Sequence, residues 1–245
     1  METAWLLGVA VFSGAIMQRL TGMGFSLVAA PFLVLIMGPV AGVTMVNFCS
    51  AAASACVLAV VIKHVDWKRY LVLAPSALLG ILPGVAIVAI VPSAWLQIGI
   101  GTVVVASLTL SLCLRSTKPE AGLGALITAG ATSGIMSATA GIGGPAISVY
   151  AVAARWEQRS FAATMQPYFL TTGAAAIAAK MLLDPAAMPG LPLWTWGVAA
   201  AAIVSGLVAG ELLAKRMPLA WARRLVIFLA YAGALAATLR GMAEL

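Results

Sequence analysis

Two glycine-rich segments carry the residue types best suited to binding chemistry in this chain. Tip 1 covers residues 18–24 and reads QRLTGMG, and tip 2 covers residues 137–145 and reads SATAGIGGP. Glycine lets the backbone turn with positive φ and approach a ligand closely. A helix that begins just after such a turn directs free backbone N–H groups towards it, which makes a ready anion site. The chemistry that these segments predict is therefore the binding of an anion.

Polar side chains in and after the tips can add hydrogen-bond donors to such a site. Asn47 and Gln166 stand at matching places, beside a Thr-Met pair in TMVNF and in TMQPYF. Equally, glycines let membrane helices pack closely, and buried amides join neighbouring helices. Both interpretations stay open. The candidate substrate-binding residues are Gln18, Arg19, Thr21, Gly22, Gly24, Asn47, Ser137, Thr139, Gly141, Gly143, Gly144 and Gln166.

Arg19 is the only basic residue in either tip. A guanidinium makes planar, bidentate contacts to oxyanions. A charge inside a membrane span costs about 3 kcal/mol unless it is paired or solvated. Arg19 is therefore either a ligand at the tip or an interfacial residue among the lipid headgroups. Tip 2 has Ala138 at the equivalent place, so an arginine contact would come from one half only.

The composition of the chain indicates an integral membrane protein. Of its 245 residues 63% are hydrophobic and only 9% are charged, more apolar surface than a soluble domain of this length could bury. No Asp, Glu, Lys or Arg occurs in 25–62, 70–114 or 121–154, and each stretch exceeds the roughly 20 residues of a membrane-spanning helix. The net charge of +7 comes from basic residues scattered between these stretches, which is typical of membrane-protein loops and not of nucleic-acid binding.

Glycine, proline and charge clusters divide the chain into helical segments whose motifs recur. Gly80 and Gly84 recur 126 residues later as Gly206 and Gly210. At the same offset Pro92, Ala94 and Trp95 recur as Pro218, Ala220 and Trp221. The predicted segments are 3–20, 24–37, 40–62, 68–91, 93–114, 121–139, 144–154, 159–182, 193–215 and 218–240.

This pattern predicts an all-α integral membrane protein with about 8–10 membrane helical segments in two inverted-topology repeats. The repeats contain glycine-broken helices or re-entrant hairpins. The expected division is 1–114 for the first membrane repeat, 115–120 for a short polar linker and 121–245 for the second membrane repeat, all within one integral domain.

The charges of the loops predict how the helices are oriented. If X is the side of the N-terminus and Y the opposite side, eleven Lys and Arg residues fall on side Y and two on side X. Cytoplasmic loops are enriched in Lys and Arg, so Y is the predicted cytoplasm and both termini are expected outside. Five segments in each half is an odd number, which makes the second half enter from the opposite face.

Enzymatic chemistry has little support in the sequence. His64, the only histidine, stands in a basic loop, and no HExxH or P-loop pattern occurs. The three cysteines lie in apolar stretches without metal-ligand spacing, so no cofactor and no metal is expected. Glu211 stands four residues before Lys215, which favours a surface ion pair within one helix over a proton-carrying carboxylate.

The order of these motifs resembles the TauE/SafE family of sulfite exporters. The resemblance rests on the GxG tip near the start of each half, the Gly-xxx-Gly and Pro-x-x-Trp close of each half and the short basic loops, and it covers about residues 8 to 240. It implies an inner-membrane permease of two homologous halves for small sulfur-containing anions, such as sulfite, thiosulfate, sulfoacetate or related organosulfonates. Tip 1 departs from the fuller glycine run of the family, whereas tip 2 keeps AGIGGP.

We therefore predict a secondary transporter, an exporter of a small sulfur-containing anion that works by alternating access. Its expected partners are that anion and the lipid bilayer, with no nucleic acid; a homo-oligomer stays open. The alternative is a passive anion channel or a non-transporting membrane subunit of a complex. The choice of anion, the coupling ion, the direction of transport, and whether 3–37 and 121–154 cross fully or re-enter also stay open.

Overall fold

The described residues of the chain form a bundle of helices. In the computed structural model these residues are 2–113, 122–183, 188–216 and 219–243. Within those ranges there are ten α-helices and no strand, and one 3₁₀ turn, Ile62–His64, extends the third helix. The helices are α1 (Glu2–Thr21), α2 (Gly24–Met37), α3 (Pro39–Val61), α4 (Trp67–Ile90), α5 (Ser93–Cys113), α6 (Leu123–Ala140), α7 (Gly144–Ala153), α8 (Gln158–Leu183), α9 (Leu193–Ala214) and α10 (Leu219–Ala243).

The predicted all-α class is confirmed, and the helix bounds agree with the sequence-based segments to within a few residues. The division into 1–114, 115–120 and 121–245 stays a prediction. Its linker, 115–120, lies outside the described residues.

Five helical stretches among the described residues are long and apolar enough to cross a membrane. The outer faces of the helices carry large apolar side chains, such as Ile90 at 80% and Leu193 at 87% exposure. Such a surface is unfavourable in water and favourable against lipid tails, and helices satisfy their own backbone there. The five stretches are Thr3–Thr21, Pro39–His64, Trp67–Ile90, Leu123–Ala140 and Leu193–Ala214.

Two matching helix pairs hold the bundle together, α1 against α9 and α4 against α6. A Cβ at Gly80 would collide with the carbonyl of Ala131, and a Cβ at Gly206 would lie 2.7 Å from the carbonyl oxygen of Phe12. The repeated Gly-xxx-Gly motif on α4 and α9 is thus used for close helix packing, as is common in membranes. Further large contacts join α3 to α8, α5 to α10 and α1 to α2.

Both tips are sharp turns between two helices, as their glycines predict. Gly22 has φ +84° between α1 and α2, and Gly141 has φ +71° after α6. The N–H of Gly22 donates to the Gln18 carbonyl over 2.8 Å, and the N–H of Gly141 donates to the Ser137 carbonyl over 3.0 Å. An L side chain rarely adopts such positive φ, which explains why glycine stands at both turns.

Candidate functional site

A cavity of about 610 Å³ lies where three helix ends meet. The end of α1 with tip 1, the end of α3 and the start of α8 form its walls. The lining residues are Gln18, Arg19, Leu20, Thr21, Gly22, Val57, Val60, Val61, His64, Glu157, Gln158, Arg159, Ala162, Ala163 and Gln166.

The cavity runs inward along the first turns of α8. Glu157 and Arg159 lie at the start of that helix, whereas Gln166 lies about 10 Å further along its axis at 1.5 Å per residue. Gln166 is only 1% exposed, so it belongs to the buried floor of the cavity, with its loop-side neighbours at the rim. Ligand entry is therefore from the loops before α4 and α8.

Two buried glutamines close the floor of the cavity. The Nε2 group of Gln18 donates to Gln166 Oε1 over 2.9 Å and to Ser54 Oγ over 3.1 Å. The Nε2 group of Gln166 donates to the carbonyls of Gly22 over 2.9 Å and of Ala162 over 2.7 Å. Each amide has two N–H hydrogens, so both donors are fully used within the protein.

The backbone at the start of α2 is also occupied. The N–H of Phe25 donates to Gln18 Oε1 over 3.3 Å, so a glutamine oxygen takes the place that an anion would hold at a helix N-terminus. The expected free amide after tip 1 is thus capped from within. The N-cap residues themselves, Met23 before α2 and Gly143 before α7, make no side-chain capping hydrogen bond.

The wall and rim of the cavity carry more positive than negative groups. Among the described residues that line it, Arg19 and Arg159 are basic and Glu157 is the only acidic one. The guanidinium of Arg19 forms an ion pair with Glu211 on α9. The expectation that Glu211 pairs with Lys215 in its own helix was therefore wrong; the α1–α9 packing brings Glu211 to Arg19 instead.

The remaining predicted residues form a second cluster that does not line this cavity. Asn47 Nδ2 donates to the Ser137 carbonyl over 3.2 Å, and Ser133 Oγ donates to the Gly143 carbonyl over 2.6 Å. Tyr168 in turn donates its hydroxyl to Ser133 Oγ over 2.8 Å. Tip 2 is thus held by side chains from α3, α6 and α8.

The structure separates the predicted site residues into two groups. The hydroxyls of Thr21 and Thr139 donate to carbonyls of their own helices, those of Met17 and Ile135. The cavity group is Gln18, Arg19, Thr21, Gly22 and Gln166, with Gly24 directly behind the turn. The tip 2 group is Asn47, Ser137, Thr139, Gly141, Gly143 and Gly144.

Tip 1 also contacts tip 2 and the helix that follows it. Ser148 Oγ on α7 is 3.1 Å from the sulfur of Met23 in tip 1, and a Cβ at Gly144 would lie 3.4 Å from the same sulfur. The tips therefore meet inside the bundle. Tip 1 faces the cavity and tip 2 lies behind it.

Sequence reasoning missed several residues of the cavity and its floor. Ser54 is fully buried against Gln18, and His64, Glu157 and Arg159 line the cavity although each stands among the charged residues of a connecting segment in the sequence. Their common signal was position: each lies within a turn or two of a helix end on the side of tip 1. Nothing in a single sequence says that these helix ends meet.

Comparison with known proteins assigns the chain to a family. The family model for the sulfite exporter TauE/SafE matches residues 6–237, nearly the whole chain. The protein belongs to the TauE/SafE family. Membership makes it a multi-pass membrane permease and not an enzyme, and the resemblance to this family is confirmed. No curated protein and no solved structure matches this TauE/SafE chain significantly.

Proposed function

We propose that this TauE/SafE protein is a secondary transporter that exports a small sulfur-containing anion, such as sulfite, thiosulfate or an organosulfonate. The observation that carries the proposal is the cavity at tip 1, with two arginines on its wall and an amide floor. Its volume of about 610 Å³ leaves room for a small oxyanion together with water. Family membership supports the small-anion class.

The lining of the cavity suits an oxyanion better than a cation. Guanidinium groups offer planar N–H donors that match the geometry of a sulfonate or sulfite. The floor amides present N–H groups that reach a bound anion only by giving up one of their present bonds, which go to each other and to Ser54, Gly22 and Ala162. Binding to a floor amide therefore exchanges one of these internal bonds for a bond to the anion and loosens the floor.

Matched contacts in the two halves support the inverted repeat. A Cβ at Gly210 would meet Arg19 and Ile16, and a Cβ at Gly84 would meet Ala138 and Ile135. The two glycines are 126 positions apart in the chain, and the residues that they contact are 119 positions apart. Gly210 therefore packs on the last turns of α1 as Gly84 packs on the last turns of α6. Two such halves can rock about a shared centre, which is how inverted-repeat transporters alternate access.

In an alternating-access cycle one side of the protein is closed while the other is open. The region around tip 2, beyond the cavity floor, fits the closed side. Asn47 lies level with Gly173, because a Cβ at Gly173 would be 2.9 Å from the Asn47 carbonyl oxygen. About 10 Å of α8 separates Gly173 from Gln166 on the cavity floor. Tip 2 and its partners thus close the path beyond the floor. In our proposal the cavity faces side Y, the cytoplasm, and is loaded there for export.

Flux into proteoliposomes tests the proposal. Sulfite, thiosulfate, sulfoacetate and sulfate would be compared, with wild type beside Arg19→Ala and Gln166→Ala. Saturable flux of a sulfur anion that falls at least about tenfold in both variants is expected, because each loses at least one charge-assisted hydrogen bond. Thermal unfolding in detergent checks that the variants are folded.

Three other results would change the assignment. Flux without saturation would indicate a passive channel. Saturable flux that ignores both variants would move binding away from the cavity. No flux of any sulfur anion from folded wild type would leave only the membrane fold and the family.

A further inference from the structure

Lys180 is a buried cation near the opposite end of α8 from the cavity. Its side chain is 3% exposed, and its Nζ atom has no hydrogen-bond partner among the described residues 2–113, 122–183, 188–216 and 219–243. Its surroundings are apolar: Ala176, one turn earlier on α8, packs with Ile81, Val85 and Ala138. An unpaired ammonium in such a place is costly, and charged groups inside membrane bundles mark ion or substrate paths.

The contacts of the two tips relate Lys180 to the cavity. The Gln18–Gln166 hydrogen bond has its counterpart in the contact of Ser137 with Asn47, and each member is shifted by 119 positions. The same shift relates two packing contacts. A Cβ at Gly22 would lie 2.5 Å from Ala162, and a Cβ at Gly141 would lie 3.5 Å from Val43, with Val46 nearer at 3.1 Å. The same shift of 119 positions therefore relates the contacts around tip 1 to those around tip 2.

Applied to the residues that line the cavity, this shift of 119 positions places Lys180 on the wall of an equivalent cavity at tip 2. Val61 lines the cavity, and 119 positions later stands Lys180. The counterpart of the cavity is bounded by tip 2, the end of α8 and the start of α3, which is the X side in our orientation. This counterpart is closed in the present arrangement, since Lys180 is buried.

The positive charges stand at different positions in the tip 1 cavity and in its counterpart at tip 2. The cavity has its arginines at Arg19 and Arg159, and the counterparts of these residues are Ala138 and Val40. An X-side cavity built on the same plan would thus lack both arginines. Lys180 supplies a positive charge to it from α8, where the tip 1 cavity has a valine.

We propose that Lys180 is the cationic residue of a second anion position, in an X-side cavity that opens as the tip 1 cavity closes. Its ligand is the same small sulfur oxyanion or sulfonate, held by the ammonium before release on side X. This inference rests on the proposed transport function. It assigns the outward-facing state a residue whose Nζ atom has no hydrogen-bond partner among the described residues in the present state.

Thiol labelling tests the position without depending on transport. In a background with Cys49, Cys56 and Cys113 changed to Ala, Lys180→Cys and the matched control Val61→Cys are placed in sealed vesicles of known orientation. A membrane-impermeant maleimide is then added on one side. We expect Lys180→Cys to react from side X and Val61→Cys to react from side Y. Sulfoacetate is the probe anion for the flux measurements with these variants.

A charge-rescue experiment adds the functional readout. Lys180→Cys and Lys180→Met are expected to lose about tenfold in sulfur-anion flux, whereas Lys180→Arg keeps most of it. Aminoethylation of Lys180→Cys restores the ammonium and should restore flux. Asp184→Asn, four positions along the chain and outside the described residues, tests a structural ion pair; it is expected to leave flux unchanged.

The outcomes separate this inference from the transport proposal. Labelling of Lys180→Cys from side X, together with flux that is restored by aminoethylation, supports the second position. No labelling from side X, or labelling only from side Y, overturns it. Equal losses in Lys180→Met and Asp184→Asn without rescue by aminoethylation also overturn it. Absence of flux in folded wild type overturns the transport function, whereas the labelling result still decides the position of Lys180.

Discussion

Gln18 and Gln166 are joined by a 2.9 Å hydrogen bond although 148 residues separate them along the chain. One lies in the last turns of α1 and the other on α8, so the bond links the first half of the protein to the second. It closes the floor of the cavity at tip 1. At tip 2, Asn47 donates a hydrogen bond to the Ser137 carbonyl over 3.2 Å, and this bond also links the first half of the chain to the second. The two halves thus hold each other's tips.

Replacing Gln166 with Leu should destabilise the protein and disable the cavity. The change leaves the buried Gly22 carbonyl and one Gln18 N–H without partners, at a cost of about 1–3 kcal/mol for each group. We expect a clear fall in the thermal unfolding midpoint in detergent. Thr139→Val is the matched control, because the Thr139 hydroxyl bonds only to its own helix. Equal midpoints for Gln166→Leu and wild type would show that the floor network contributes nothing.

Replacing Glu211 with Gln should strengthen anion binding. The Glu211 carboxylate forms an ion pair with Arg19 and so competes with an anion in the cavity for the same guanidinium. Loss of the carboxylate charge should lower the KM of saturable flux several-fold, with little effect on folding. Arg19→Ala should raise KM, and adding Glu211→Gln to it should have no further effect, because the competition needs both partners. Loss of flux in Glu211→Gln alone would instead make Glu211 a proton carrier.

Replacing Gly22 with Ala should be strongly destabilising. A Cβ there would lie 2.5 Å from the Cβ of Ala162, and the backbone has φ +84°. Positive φ alone costs a non-glycine residue about 1–3 kcal/mol, and the contact with Ala162 adds to it. Unfolding in detergent measures the loss. Gly99→Ala on α5 is the control, since nothing lies within 4 Å of its added Cβ; it should be neutral or slightly stabilising. A stable Gly22→Ala protein would show that tip 1 can change shape.

The membrane character of the protein follows from the sequence alone. Long stretches without charge, such as 70–114, leave the backbone no partner in a bilayer except itself, so they must be helices. The positions of Gly22 and Gly141 also fix the two sharp turns, because few other residues adopt positive φ there. The four-residue spacing of Gly206 and Gly210 places both on one helix face, ready for close packing.

The tertiary structure alone decided which of these elements meet. In a membrane protein both the lipid-facing and the core-facing sides of a helix are apolar, so the hydrophobic pattern does not show which side is buried. The pairing of Arg19 with Glu211 and the burial of Lys180 without a partner in the described residues depend on α1 lying against α9 and on α8 lying within the bundle. The sequence places an amide at Gln18 and another at Gln166. Only the packing of helices more than a hundred residues apart turns them into one floor.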